Sequence, residues 1–115
     1  MRVTAACVAH SRRKFEELTK PAAGASPLAL EAVQRLARIY HLEGHFAGMT
    51  TEERLDGRQR LSRPLWDELH VWLRLERSRV ADGGRTALAI NYSLNHWQAL
   101  TRHLDDGAPE FVNIR

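Results

Sequence analysis

The chain is 115 residues long, with 43% hydrophobic and 27% charged residues, which fits one domain with a real core and excludes an intrinsically disordered chain. No apolar run approaches the roughly 18 to 20 residues that span a bilayer, and the opening segment is too short for a secretory signal, so a cytoplasmic location without a membrane partner is expected. Seventeen Lys and Arg against fourteen Asp and Glu give a net charge of +3, a mild basic excess that does not choose between nucleic-acid binding and an ordinary solvated surface.

Residues 3–8 are small and apolar and lead into the basic stretch around Arg12, Arg13 and Lys14, a pattern that reads as a strand or extended entry into a short helix. The next strand-like run is Glu110-Phe111-Val112-Asn113-Ile114, so both ends are expected to be short extended segments. A loop with Pro21 and Gly24 follows, and Ser26-Pro27 supplies an N-cap with proline at the first helical position. Beyond it Ala29, Val33, Leu36 and Tyr40 form an apolar stripe, opposite Glu31, Gln34, Arg35, Arg38 and His41, in a helix ending near residues 44–48. Thr50 with Glu53 has the capping-box pattern and opens a second helix to about Leu61. Asp56 and Arg60 attract within it, whereas Glu52 with Asp56 and Arg54 with Arg58 repel, and Gly57 weakens its middle. Pro64 predicts a kink or break over residues 62–64. A further stripe of Leu65, Leu69, Trp72 and Leu73 ends at Asp82-Gly83-Gly84. The last helix is predicted from about Thr86 to Leu104, with Ile90, Leu94, Trp97, Leu100 and Leu104 on its apolar face. The fold expected is therefore all-α, a bundle of about four helices with strand-like ends. There is no internal repeat or low-complexity tract.

Few residues propose chemistry. His41 and His45 share a helical face at the spacing by which a helix grips a metal, but Leu42 stands where a zincin has glutamate, and solvated histidines at a helix end are the favoured reading. Cys7 and His10 lack a third and fourth ligand, and the lone cysteine agrees with a reducing compartment. Asp105 and Asp106 point about 100° apart on a helix and read as a solvated end. Trp72 and Trp97 fall on apolar stripes and are assigned to the core, while Trp66 is open between core and base-stacking platform. No catalytic triad or phosphate loop can be assembled, so neither a catalytic nor a metal residue is named. Two basic stretches remain, and their candidate phosphate contacts are Arg12, Arg13, Lys14, Arg58 and Arg63, weighed against a solvated charged face.

The run Cys7-Val8-Ala9-His10-Ser11-Arg12-Arg13-Lys14-Phe15 resembles the Cys-Trp-Ala-His-Ala-Arg-Arg-Lys-Phe signature of the insertion-sequence 66 family of bacterial transposases. The likeness continues through residues 26–33, 51–55 and 72–73, and above all through residues 92–107, in the same order. Val8 and Ser11 depart from the signature. The resemblance implies a DNA transposase of the Asp-Asp-Glu type, whose ribonuclease-H-like domain holds two divalent metals, expected to be magnesium, on three carboxylates. It further implies that this chain lies between the second and third of those carboxylates, so that no catalytic residue is carried over and the chain is not expected to be an enzyme by itself. Asn113 resembles a remnant of the asparagine pair before the family's glutamate, while Val112, Ile114 and Arg115 depart from that pattern.

On this reading residues 1–115 are a single helical domain. Residues 1–20 are a remnant of the catalytic domain, 26–106 the helical insertion, and 107–115 a remnant leading toward the glutamate. The partners implied are transposon-end DNA or other transposase subunits, and no cofactor is expected in the fragment itself. The alternative, from another class, is a helical dimerisation module with no DNA role.

Overall fold

The computed structural model describes residues 3–109, with side chains from residue 8 onward. Six α-helical segments occur in it: α1 Val3–Leu18, α2 Pro27–Phe46, α3 Thr51–Gly57, α4 Arg63–Arg79, α5 Arg85–Asn95 and α6 Trp97–Thr101. Short 3-10 turns occupy Pro21–Ala23 and Arg102–Asp105, and a π-helical turn, Arg58–Ser62, joins α3 to α4.

The strand-like amino-terminal end expected from the sequence is corrected by this architecture, since no strand occurs among the described residues. The amino-terminal segment is a 16-residue helix. Val8, Ser11, Phe15 and Leu18 are all buried, a three-and-four spacing that turns one face of α1 onto α2, α5 and α6. A helix satisfies its own backbone, whereas a strand here would need a pairing partner. The carboxy-terminal run, residues 110–114, lies outside the described residues.

The capping signals act as written in the sequence. Ser26 accepts a hydrogen bond from the Ala29 amide at 3.1 Å, and Thr50 and Glu53 exchange reciprocal bonds of 3.0 and 3.1 Å, so side chains take up amides at each start that the helix itself leaves without acceptors. The core-facing side of α2 is Ala29, Ala32, Leu36, Ile39, Glu43 and Phe46, rotated slightly from the expected stripe, with Val33 and Tyr40 half-buried. Trp66, Leu69 and Leu73 supply the buried face of α4. Trp66 is thus a core residue, in edge contact with Trp97 at 5.5 Å between ring centroids.

Two expected boundaries differ. At residues 62–64 the helix changes register instead of breaking: the Arg63 amide bonds back to the Arg58 carbonyl, five residues earlier. The wider π turn leaves room for the Pro64 ring, which an α register would drive into the preceding carbonyl. The last helix, conversely, is divided at His96, whose φ of −107° and ψ of 18° are not helical. Its Nδ1 lies 2.8 Å from the Tyr92 carbonyl, where it can donate to an oxygen that the backbone ladder would otherwise use alone.

Two glycines are explained by close approach. A Cβ on Gly57 would lie 2.6 Å from Cε1 of Phe46, so the residue that weakens α3 by propensity also admits the aromatic ring that closes the core there. Gly107 is buried and sits against the backbone of Thr51, with its hypothetical Cβ only 2.7 Å from Thr51 Cγ2. Because main chain cannot yield as a flexible side chain does, Gly107→Ala is expected to cost about 1–3 kcal/mol. Urea denaturation of the variant measures this, and an unchanged midpoint would refute the packing argument.

Candidate nucleic-acid interface

The burial of one face of α1 decides what its basic residues do. With Val8, Ser11, Phe15 and Leu18 turned inward, His10, Arg13, Lys14 and Glu17 project from the opposite face, and all four are exposed. They line, together with Tyr92 of α5, a cleft of about 420 Å³. Lys14 Nζ lies 4.8 Å from the centre of the Tyr92 ring, and His10 Nδ1 is 3.4 Å from the Tyr92 hydroxyl. The other side of the tyrosine carries His96, stacked at 4.2 Å. The acid at the rim, Glu17, is engaged by Lys20 at 3.2 Å, which offsets its repulsion of an anion. Two cations in one cleft, one of them held over an aromatic ring, make a surface suited to phosphate oxygens.

Arg12 is placed differently. Its guanidinium lies 4.5 Å over the Tyr40 ring and its Nε is 3.5 Å from Glu16, so it is turned toward α2 and belongs to the α1/α2 packing. Burial raises the pKa of Tyr40, against the lowering influence of the same Arg12.

The second basic stretch does not present a common face. Arg58 is 1% exposed. Its Nε and Nη2 donate to the two carboxylate oxygens of Glu43 at 2.9 and 2.8 Å, and Nη1 donates to the Asp106 carbonyl. A guanidinium occupied in this way has no donor fork left for a phosphate, and the assignment of Arg58 as a DNA contact is corrected: it is a core residue. Arg54, also buried, donates to the carbonyls of Phe46, Met49 and Gly107 at 3.2, 2.6 and 2.9 Å. The expected repulsion between Arg54 and Arg58 is outweighed because each has its own acceptors. Arg63 remains at the surface but pairs with Asp105 at 2.8 Å, and Arg60 pairs with Asp56 at 2.8 Å. The cleft therefore gathers Arg13 and Lys14 and leaves Arg12, Arg58 and Arg63 elsewhere.

His10, Tyr92 and His96 are not singled out as DNA contacts by the sequence. No local signal joins them, since His10 and Tyr92 are separated by 82 positions. The Glu43–Arg58 pair does have a usable signal: a glutamate falling in step with Ala32, Leu36, Ile39 and Phe46 is a carboxylate on an apolar face and calls for a buried cation.

Comparison with known proteins adds the lineage. The family model described as "Transposase IS66 family" matches residues 2–113. The chain belongs to the IS66 transposase family. Among curated proteins, three uncharacterized proteins of Sinorhizobium fredii are similar to this IS66 chain. The protein y4hP is 38% identical over 111 residues, spanning 88% of this chain and 20% of its own length. The protein y4jD is 39% identical over 104 residues, 90% of this chain and 20% of its own. The protein y4qI is 33% identical over 106 residues, 92% and 19% respectively. The chain thus spans about a fifth of the length of these relatives. No solved structure matches it at a significant level.

The resemblance to an Asp-Asp-Glu transposase implies a two-metal centre, for which the described residues offer no ligand set. Among the described residues no three His, Cys, Asp or Glu side chains gather closely enough to hold a metal ion, and the best-placed buried carboxylate, Glu43, is consumed by Arg58. No described helix is long and apolar enough to cross a membrane.

Proposed function

We propose that this IS66 domain contacts transposon-end DNA through the α1/α5 cleft, with Arg13 and Lys14 as phosphate ligands and Tyr92, backed by His96, as the ring that holds Lys14 in place. The observation that carries this reading is that two exposed cations line a single cleft, one of them over an aromatic ring. Elsewhere the described arginines are mostly buried or paired. Strand cleavage and joining are assigned to carboxylates other than those described, and this domain contributes binding and positioning.

Fluorescence anisotropy with a duplex oligonucleotide at about 50 and 200 mM salt tests the proposal. Removing one phosphate ligand lowers the salt slope by about 1, so Arg13→Ala with Lys14→Ala is expected to lower it by about 2 and to weaken low-salt binding by about tenfold or more. Arg79→Ala, on exposed α4 surface beside Glu76, should bind as the parent does. Absence of binding by the parent at low salt would defeat the reading.

A second reading, contact with another transposase subunit or a second copy without DNA, is favoured by one feature. Val71 and Leu75, four residues apart on α4, and Leu88 of α5 are 67%, 46% and 59% exposed, apolar side chains that a partner could cover. Sedimentation velocity distinguishes the readings: a stable dimer lacking DNA affinity would favour this one.

A further inference from the structure

We infer that His41 and His45 form a two-nitrogen binding site for a borderline divalent transition ion of the zinc class, separate from the DNA cleft and from any magnesium chemistry of the family. Both side chains are exposed and sit four residues apart near the end of α2, on one helical face. Their Nε2 atoms are 3.3 Å apart, with ring centroids at 4.8 Å and planes at 89°. Zinc binds imidazole nitrogen at about 2.0–2.1 Å with tetrahedral angles, which places two ligating nitrogens of one ion about 3.3–3.4 Å apart. The observed separation matches that of two nitrogens sharing one ion.

The surroundings agree with a cation. His45 lies in the last turn of α2, where unpaired carbonyls give the helix end a partial negative charge. Arg38, which lines a shallow depression with His41, Ala37, Leu42 and Leu65, opposes it and sets the affinity below that of a three-ligand site. Water fills the remaining positions, since no third His, Cys, Asp or Glu among the described residues joins the pair. Nitrogen ligands select zinc over magnesium, which keeps oxygen ligands. Binding is the whole of the inference, because Glu43, the carboxylate between the two histidines in the chain, is buried and held by Arg58.

The same separation also suits a hydrogen bond between two imidazoles of opposite tautomer, and metal titration separates the two. Isothermal titration of the full chain near neutral pH with zinc, and separately with magnesium, is expected to give one zinc per chain and no magnesium binding. His41→Asn and His45→Asn should each weaken zinc binding by about tenfold or more, with unchanged circular dichroism because both residues are exposed. Zinc should raise the Tm of the parent and not of the double variant. Zinc binding undiminished in the double variant, or no binding by the parent up to about 1 mM zinc, overturns the inference. Neither outcome bears on the DNA reading, which rests on α1 and α5.

Discussion

Arg58→Ala is expected to destabilise the domain by about 3–5 kcal/mol, lowering Tm by roughly 10–20 °C for a chain of this size. Glu43 and Arg58 are each 1% exposed, so removal of either partner leaves an ion in the core with no counter-charge, and the desolvation it suffered on folding goes uncompensated. The guanidinium also holds the Asp106 carbonyl, while Arg54 holds that of Gly107. The two arginines thus tie the turn after the last 3-10 helix to the α2/α3 junction, and Arg58→Ala releases half of that tie. Glu43→Ala should cost a comparable amount. Replacement of both by apolar residues, Glu43→Leu with Arg58→Met, should recover much of the stability, because the charge and its desolvation disappear together. Urea unfolding of the singles and the double, combined as a double-mutant cycle, measures the coupling. Additive effects would show that the pair does not act as a unit.

Acidification from pH 7 to pH 5 is expected to remove about 2 kcal/mol of stability through His103 alone. This residue, in the Arg102–Asp105 turn, is buried against the edge of Trp66 at 5.6 Å. Burial, reinforced by the nearby Arg58 charge, pushes its pKa down to about 3, with a backbone bond to Leu100 opposing and Arg63 adding slightly. In the unfolded chain the imidazole titrates near its ordinary value of about 6.5. Above that value both states are neutral and the domain has its full stability. Between about 6.5 and about 3 the unfolded chain binds a proton that the folded one refuses, and stability falls by about 1.4 kcal/mol per pH unit. Denaturation midpoints at pH 7, 6 and 5 would show this slope in the parent, and His103→Leu should flatten it whatever its stability at pH 7. A slope unchanged in His103→Leu would move the effect to another group. The interval stops at pH 5 because carboxylates begin to titrate below it.

The depressed histidine and the buried ion pair are neighbours, and their neighbourhood explains why so little of either is legible in the sequence. Helix positions are legible there because a helix is encoded locally. Ser26-Pro27, Thr50 with Glu53 and the apolar spacing of α2 and α4 all act within one or two turns. The family is legible too, from the order of its motifs, whereas clustering alone offers Arg12, Arg13 and Lys14 as candidate phosphate contacts without separating Arg12 from the other two. Ambiguous local signals mislead. A short apolar run such as residues 3–8 serves a strand or a buried helix equally well, and packing of α1 on three other helices selects the helix.

By itself, then, the amino-acid order determined the helical class, most helix starts, the lineage and the existence of a basic segment near the amino terminus. Tertiary structure alone decided which cations face water. Arg13 and Arg58 are the same side chain in sequence, yet one is exposed beside a tyrosine 79 positions away, since Tyr92 follows Arg13 by that interval, and the other lies against Glu43 in the core. Charge is a property of the residue, but the free energy of that charge depends on solvent and on partners brought in from distant parts of the chain, and those are supplied only by the fold.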